Sequence, residues 1–196
     1  MEKKTISNLN PAKIFSYFKV FVDDRAVAAV MPSSRYLVGR TLKAMDLKHS
    51  RTIIEYGAAE GVMTREILRL MPQDGRLLSI ELNDAFYEKL KTLNEDKRMS
   101  LFHGDVRKSD EIAKNHHFES GTVDVIVSGI PFAFLSSEGR NELLSKTAKL
   151  LKPGGRFVAY QVTTHLIPIL KNHFKTVRTQ FEIRNIPPHF VFTAIK

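Results

Sequence analysis

The chain has 196 residues, of which 43% are hydrophobic and 26% are charged, a balance typical of one folded domain rather than of a disordered chain. It contains no cysteine, which excludes disulfides, thiolate metal sites and thiol nucleophiles and fits a reducing compartment. The formal net charge of +9 suggests an anionic partner, either nucleic acid or an acidic lipid surface, with an inert basic surface as the alternative.

The N-terminal part bears on the relation of the protein to membranes. The first ten residues, MEKKTISNLN, have no apolar run after their lysines and do not resemble a signal peptide. The most apolar local run, Ala26–Pro32, is far shorter than the roughly 20 residues that a membrane-spanning helix needs. We therefore expect a protein that is soluble or bound to a membrane surface, not inserted.

Residues Pro11–Asp24 predict an amphipathic helix. Six apolar side chains lie on one side of a helical wheel: Ile14, Phe15, Tyr17, Phe18, Phe21 and Val22. Ser16, Lys19 and Asp23 lie opposite. The helix either caps the core of the domain or lies in a membrane interface, where nearby lysines favour acidic headgroups. These lysines are Lys3, Lys4, Lys13 and Lys19.

Apolar, β-branched runs then alternate with helix-like segments. The strand-like runs are RTIIEY, GRLLSIEL, MSLFHGD, TVDVIVSG and GRFVAYQV. The helix-like segments are MTREILRLM, DAFYEKLKTLN and RNELLSKTAKLLKPGG, and the Pro-Gly-Gly stop of the last predicts a strand that begins at Gly155–Arg156. Strands joined through helices predict parallel βαβ units in a doubly wound sheet. Two final runs, FKTVRTQFEIR and HFVFTAIK, are separated only by NIPP and predict an antiparallel hairpin.

The first strand leads into the turn EYGAAEG, which we expect to bind a nucleotide cofactor. Gly57 and Gly61 allow a sharp turn and close approach of the backbone to a ligand. A dinucleotide is disfavoured, because Ala59 replaces the middle glycine of its fingerprint and Glu55 and Glu60 place negative charge near the pyrophosphate position. S-adenosylmethionine has no phosphate, and its amino group and sulfonium are cationic, so the acids favour it.

Acidic residues also follow the next two strands. Glu81 closes the second strand, where a carboxylate can accept both ribose hydroxyls of a nucleotide. Asp105 closes the third strand, where it can accept a hydrogen bond from the adenine amino group. A single acid at a strand end is usually a cap or turn residue, but three at successive strand ends favour a cofactor site.

Over about residues 50–165 the sequence resembles class I S-adenosylmethionine-dependent methyltransferases. EYGAAEG is similar to their E/D-x-G-x-G-x-G loop, IEL and GDV to their second and third acidic motifs, and LLKPGGRF to the lead-in of their fifth strand. The resemblance implies an α/β, Rossmann-like fold with a mostly parallel seven-stranded sheet, a C-terminal antiparallel hairpin and helices on both faces. Ala59 departs from the motif, and its methyl group is expected to tilt the methionine portion or weaken binding without abolishing it.

The loop after the fourth strand, VIVSGIPFAFL, is where we expect the methyl group to be delivered. Amine-directed methyltransferases often have N/D-P-P-Y or N-L-P-Y here, with an Asn or Asp that accepts a hydrogen bond from the amine. In this chain Ser128 is followed by Gly129, Ile130, Pro131 and Phe132, so Pro131 and Phe132 match but Gly129 supplies no side-chain acceptor. The backbone carbonyls of Gly129 and Ile130 are the expected substitutes, with water taking the proton.

A second resemblance covers nearly the whole chain. FKVFVDDRAVAAVMPSSRYLVGRTL is similar to the N-terminal region of bacterial phospholipid N-methyltransferases, as are the IVSGIPF loop and the NIPPHFVF hairpin. The core also resembles ribosomal RNA adenine dimethyltransferases, which normally add a C-terminal helical domain for RNA. The phospholipid resemblance implies that residues 1–48 hold the amphipathic helix and a cofactor-covering helix, and that residues 49–196 form the methyltransferase core, in one structural domain overall.

Together these resemblances define a set of expected site residues. The cofactor-binding residues are Ser33, Ser34, Glu55, Tyr56, Gly57, Ala59, Gly61, Glu81, Leu82, Asp105, Val106 and Ser128. The acceptor loop contributes Gly129, Ile130, Pro131 and Phe132 to catalysis. Phe132, Tyr36 or Tyr160 is expected to stack on the growing methylammonium by cation–π attraction, and Arg35 or Arg184 is a candidate for the lipid phosphate. The seven histidines lack metal-ligand spacing, so we expect no metal site.

Three functions remain open on the sequence alone. The first is methylation of the amine of phosphatidylethanolamine toward phosphatidylcholine, by a cytoplasmic protein peripheral on the inner face of the membrane. The second is an RNA adenine methyltransferase, for which the basic charge is equally natural. The third is a non-catalytic module that binds S-adenosylmethionine without turnover, a possibility raised by Ala59 and Gly129.

Overall fold

The computed structural model describes residues 33–93 and 95–196. The strands are β1 Thr52–Tyr56, β2 Arg76–Glu81, β3 Met99–His103, β4 Val123–Ser128, β5 Leu151–Gln161, β6 Thr176–Glu182 and β7 His189–Ile195. The α-helices in the same ranges are α1 Arg35–Met45, α2 Val62–Leu70, α3 Asp84–Leu90, α4 Ser109–Asn115, α5 Ser137–Leu150 and α6 Leu166–His173. The amphipathic helix predicted for Pro11–Asp24 and its lysines lie outside the described residues.

The strands form one seven-stranded sheet in the order β3-β2-β1-β4-β5-β7-β6. The five strands β1 to β5 pair in parallel, and β7 pairs antiparallel with both β5 and β6. The predicted parallel sheet with a C-terminal hairpin is therefore confirmed. Because β6 is parallel to β5, its carboxyl end and the β6–β7 loop lie at the same edge of the sheet as the cofactor turn.

The central strands are apolar on both faces, as parallel strands between two helical layers should be. On one face, Ile53 of β1 and Val125 of β4 pack with the apolar side chains of α1 and α2. On the other face, Ile54 and Ile126 of the same strands pack with those of α4, α5 and α6. Helices on both faces of the sheet were predicted, although α4 and α6 were not singled out from the sequence.

The start of β5 differs from the prediction of Gly155–Arg156. Helix α5 ends at Leu150, and β5 begins at once with Leu151, which pairs with Val123. The next pair is Val125 with Arg156, so Lys152–Gly155 form an irregularity within the strand. Proline has no N–H for the ladder and Gly154 has φ of 74°, which explains why the strand bulges here.

Helix α1 begins at Arg35, directly after Ser33 and Ser34. Ser34 is its N-cap, and the Ser34 hydroxyl accepts a hydrogen bond from the Leu37 N–H at 3.3 Å. The Ser34 N–H donates to Asn185 Oδ1 at 2.8 Å, which connects the start of α1 to the β6–β7 loop. No helix in the described part of the chain is long and apolar enough to cross a bilayer.

Candidate functional site

The turn after β1 lies at the carboxyl edge of the sheet and needs its glycines. Gly57 and Gly61 both have φ of 75°, and a Cβ on Gly57 would lie 2.8 Å from Ile130 Cγ2. A Cβ on Gly61 would lie 2.8 Å from apolar side chains of α3 and the turn after it. Ala59 has φ of 48° and is exposed, so the residue that departs from the glycine motif adopts the conformation that glycine prefers.

Glu55 is the buried acid behind this turn. Its Oε2 accepts hydrogen bonds from Thr64 Oγ1 at 2.7 Å and from Ser79 Oγ at 2.6 Å. Burial raises the pKa of Glu55 to about 7; the nearby Glu81 adds to the rise, whereas the two hydroxyl bonds oppose it. The carboxyl is therefore poised between neutral and ionised near pH 7, and a cation placed beside it favours the ionised form.

Glu81 fixes the turn from the end of β2. Its Oε2 accepts from the Ala59 N–H at 2.8 Å, and its Oε1 accepts from the Asn83 N–H at 2.8 Å. Each carboxylate oxygen has a further lone pair, so the oriented carboxylate can still accept two hydroxyl groups. The following residue, Leu82, is largely exposed beside it.

Asp105, after β3, makes a local pair. Its Oδ1 accepts from the Arg107 N–H at 2.9 Å and its Oδ2 from Arg107 Nε at 2.7 Å. The hydrogen bond from the Arg107 side chain is the main reason that the pKa of Asp105 lies below its usual value. The carboxylate stays ionised at the expected edge of the sheet, with part of its acceptor capacity already used. Val106 beside it packs into the core.

Two predicted site residues have side chains that belong to the core. Tyr56 is fully buried and its hydroxyl lies 3.4 Å from Thr147 Oγ1, so only its backbone, whose carbonyl accepts from the Gly129 N–H at 2.9 Å, reaches the site. Phe132 is 2% exposed and packs edge-to-face on Phe157 with ring centroids 6.1 Å apart. The prediction that the Phe132 ring stacks on a substrate cation is therefore wrong, because its apolar contacts bury it.

Gly129, at the acceptor position, lies against the Tyr160 hydroxyl. A Cβ at position 129 would collide with Tyr160 Oη and would lie 3.0 Å from Tyr160 Cζ and 3.1 Å from the Gly57 carbonyl oxygen. The space that a larger residue at 129 would need therefore holds a phenol oxygen supplied by β5. Glycine at this position is a steric requirement of the site.

Gln161 holds the rest of the acceptor loop. Its Nε2 donates to the Ile130 carbonyl at 2.8 Å, and its Oε1 accepts from the Phe132 N–H at 3.2 Å. Of the two backbone carbonyls predicted to hold the amine, that of Ile130 is thus already hydrogen-bonded. Pro131, between Ile130 and Phe132, is exposed.

Tyr160 itself is only partly exposed. Burial raises the pKa of its hydroxyl, the charge of Glu55 adds to the rise, and a hydrogen bond with Ser33 opposes it. The phenol is therefore protonated at neutral pH. The ring of His189 lies 6.2 Å away, and burial lowers the pKa of that imidazole. The Ser128 hydroxyl, also buried, has no hydrogen-bond partner within residues 33–93 and 95–196.

Tyr36 lies at the start of α1 with both arginine candidates for the phosphate. Arg35 Cζ lies 4.9 Å and Arg184 Cζ 4.1 Å from the Tyr36 ring centroid. Arg35 also donates to the Tyr36 hydroxyl at 2.8 Å. Since the ring already contacts two guanidinium groups of the protein, its predicted role as a platform for the methylammonium stays a prediction.

Several residues that shape this site were not found from the sequence. Ser79 and Thr64 bind Glu55, Gln161 holds the acceptor loop, and Asn185 and His189 border Tyr160 and Ser33–Ser34. Polar residues at strand ends were the available signal, but their partners lie between 9 and 151 positions away. In the described residues no group of histidines and acids is arranged to hold a metal ion.

Residues 53–155 match the family model described as "Methyltransferase domain", and the chain belongs to this family. It is 28% identical to an ornithine lipid N-methyltransferase from Singulisphaera acidiphila, over 87% of this chain and 88% of the relative. It is 30% identical to a ribosomal RNA small subunit methyltransferase A from Crocosphaera subtropica, over 48% of this chain and 35% of the relative.

Solved structures agree on the fold. The precorrin-6y C5,15-methyltransferase from Geobacter metallireducens has a TM-score of 0.68 at 18% identity, covering 85% of this chain and 91% of its own. A SAM-dependent methyltransferase from Aquifex aeolicus has a TM-score of 0.61 at 16% identity, and the match covers 96% of this chain and 99% of that protein. The protein is a class I S-adenosylmethionine-dependent methyltransferase.

The residues present fit this cofactor. Glu55 and Glu81 provide negative charge and oriented acceptors for a molecule with a cationic end and a ribose. When bound, S-adenosylmethionine supplies a methyl group activated by its sulfonium. What the chain adds is the orientation of donor and acceptor, which can supply much of the rate.

Proposed function

We propose that the protein methylates the amine of a membrane-lipid headgroup, with phosphatidylethanolamine as the substrate that the sequence resemblance predicts. The similarity to an ornithine lipid N-methyltransferase over most of both chains is the observation on which this proposal mainly rests. Both lipids present an amine at a membrane surface. The same resemblance supports a protein held at the inner face of the membrane by the amphipathic helix predicted for residues 11–24.

The geometry around Gly129 suits an alkyl amine. The neutral Tyr160 hydroxyl lies against Gly129 and can accept a hydrogen bond from an amine N–H without carrying a charge. The Gly129 carbonyl is the predicted second acceptor. The headgroup ammonium first loses a proton to water. The adjacent acceptors would then orient the nitrogen lone pair toward the methyl group that bound S-adenosylmethionine would supply.

A second candidate, an RNA adenine methyltransferase, is favoured by the ribosomal RNA methyltransferase relative and by the +9 charge. The acceptor loop weighs against it. Gly129 has no side chain to accept from an adenine amino group, and the buried Phe132 offers no ring face for a base. We therefore rank the lipid amine first.

The test is a competition between acceptors. The full chain is given methyl-labelled S-adenosylmethionine with vesicles containing phosphatidylethanolamine, vesicles containing an ornithine lipid, and RNA in parallel. We expect label in an aminolipid and none in RNA. Label in RNA alone would contradict the proposal.

The role of Tyr160 has its own readout. Tyr160→Phe should lower kcat by roughly 10-fold to 100-fold through loss of an acceptor that orients the amine, with little change in cofactor affinity. Tyr87→Phe, on α3, is the matched control and should leave both unchanged. Equal losses in cofactor affinity and kcat would instead indicate a structural role for Tyr160.

A further inference from the structure

Exposed apolar side chains are concentrated at one corner of the described protein. Ile183 is 70% exposed, Ile186 71% and Phe181 48%, and Tyr36 beside them is 36% exposed. Three of these residues come from the end of β6 and the β6–β7 loop, which we define as residues 183–188. Two large aliphatic side chains exposed to this degree on one short loop are unusual unless the loop contacts something apolar.

The same corner is basic. Arg184 stands between the two exposed isoleucines, and Arg35 and Arg184 both contact the Tyr36 ring. Glu182 accepts from Arg40 Nε at 2.9 Å and from Arg184 Nε at 2.8 Å. Two guanidinium groups therefore bind one buried carboxylate, and a third, that of Arg35, lies over the neighbouring Tyr36 ring, so the net charge of these side chains is positive.

The loop is built into the rim of the acceptor site. Asn185 is 4% exposed and its Oδ1 accepts from the Ser34 N–H, which fixes the centre of the loop while Ile183 and Ile186 face outward. His189, which directly follows the loop, has its ring 6.2 Å from that of Tyr160. Whatever the loop binds is thus brought next to Gly129 and Tyr160.

We propose that the β6–β7 loop inserts Ile183 and Ile186 into the interface of an anionic membrane, which places the acceptor site against the lipid headgroups. This inference rests on the proposed function and adds a second membrane contact to the one predicted for residues 11–24. Apolar side chains flanked by arginines match the two components of such a surface, the acyl boundary and the acidic headgroups. A lipid amine then reaches Tyr160 without leaving the bilayer.

The chain has no tryptophan, so a single introduced one reports on its own position. Ile183→Trp and, separately, Ile186→Trp are mixed with phosphatidylglycerol–phosphatidylethanolamine vesicles. We expect a blue shift of emission and quenching by lipids brominated on their acyl chains. Leu70→Trp is the matched control, because Leu70 is 40% exposed at the end of α2, on the opposite edge of the sheet, and should show neither effect.

The inference would be overturned if the variants bind vesicles but the tryptophan at either loop position keeps the emission of a water-exposed indole. Absence of vesicle binding would overturn it too. A blue shift that appears without vesicles and grows with protein concentration would assign the loop to a contact between two copies and would also overturn it. Thermal unfolding checks that each variant is folded.

Activity separates this inference from the proposed function. Ile183→Ser combined with Ile186→Ser should lower turnover on vesicles roughly tenfold or more, yet leave turnover on a short-chain, monomeric aminolipid unchanged. If the unmodified chain methylates neither lipid form, the proposed function fails while the tryptophan probes still decide the membrane contact. Equal loss on both lipid forms would contradict the inference.

Discussion

The buried Glu55 carboxyl couples the cofactor site to pH. Its pKa of about 7 lies above the ordinary value of 4.5 because it is buried, so below pH 7 it is largely protonated in the folded protein. A protonated carboxyl does not attract the cationic end of S-adenosylmethionine. Binding should therefore favour the ionised form and release a proton near pH 7.

We predict that affinity for S-adenosylmethionine rises between about pH 6 and 8 and that Glu55→Gln removes this dependence. Titration calorimetry in two buffers with different ionisation enthalpies measures the proton released. Folding stability should depend on pH in the opposite direction. Because the pKa of Glu55 is raised in the folded protein, its contribution to the free energy of unfolding falls as pH rises from 4.5 to 7 and is constant above pH 7. Identical binding enthalpies in both buffers at pH 7 would contradict the prediction.

Ala59 gives a second prediction for a single residue. It holds φ of 48°, which costs an L residue roughly 1–2 kcal/mol, whereas glycine pays roughly 0.5–1 kcal/mol of extra chain entropy. Ala59→Gly should thus raise the free energy of unfolding by up to about 1 kcal/mol and should not weaken cofactor binding. Chemical denaturation measures the free energy of unfolding, and calorimetry measures the cofactor affinity. A destabilised Ala59→Gly variant would show that contacts of the alanine methyl group stabilise the fold by more than the backbone strain costs.

Among the elements, helices α1 and α5 have matched serine N-caps. Ser34 caps α1 through the Leu37 N–H, and Ser136 caps α5 through the Gly139 N–H at 3.0 Å. Either serine changed to alanine should cost about 1 kcal/mol of unfolding free energy. Only Ser34→Ala should also lower affinity for S-adenosylmethionine, if the Ser33–Ser34 segment covers the cofactor as the resemblance implies. Equal cofactor affinities in the two variants would remove Ser34 from the site.

The elements also show where sequence reasoning succeeded. Apolar periodicity placed β1 to β4 and the hairpin, because burial on one or two faces imposes a repeat that is visible locally. The Pro-Gly-Gly segment, read as a helix stop, led to a predicted start of β5 that is four residues late. A bulge opposite Val123–Val125 accommodates Lys152–Gly155 within the strand, and it depends on pairing with a strand distant in sequence. The acids of the site were found for the same local reason, as ends of strands.

Contacts that depend on packing could not be predicted. Nothing local to Gly129 indicates that Tyr160 occupies the space beside it, and nothing local to Ile130 indicates that Gln161 binds its carbonyl. Phe132 illustrates the opposite error: it matches a motif in which the aromatic stacks on substrate, yet its position places it against Phe157. Side-chain direction at the end of a strand follows from the neighbouring strands, not from the motif.

For the whole molecule, net charge and apolar contacts should act together. With +9 formal charge, attachment to acidic vesicles should weaken as salt rises, since each Lys or Arg near such a surface contributes roughly 1 kcal/mol at low ionic strength. Deleting residues 1–22 should reduce vesicle binding further while leaving cofactor affinity intact. Co-sedimentation with vesicles at two salt concentrations measures both effects. Unchanged vesicle binding after the deletion would show that residues 1–22 do not contribute to the membrane contact.

The central claim is that S-adenosylmethionine binds across the carboxyl ends of β1, β2 and β3, with Glu81 as its main polar anchor. The most direct test is calorimetric titration of the cofactor into the full chain and into Glu81→Ala, with Glu88→Ala on the exposed face of α3 as the control. We predict that Glu81→Ala weakens binding by roughly tenfold or more and that Glu88→Ala has no effect. No heat of binding in the unmodified chain, or equal affinities in all three proteins, would contradict the account.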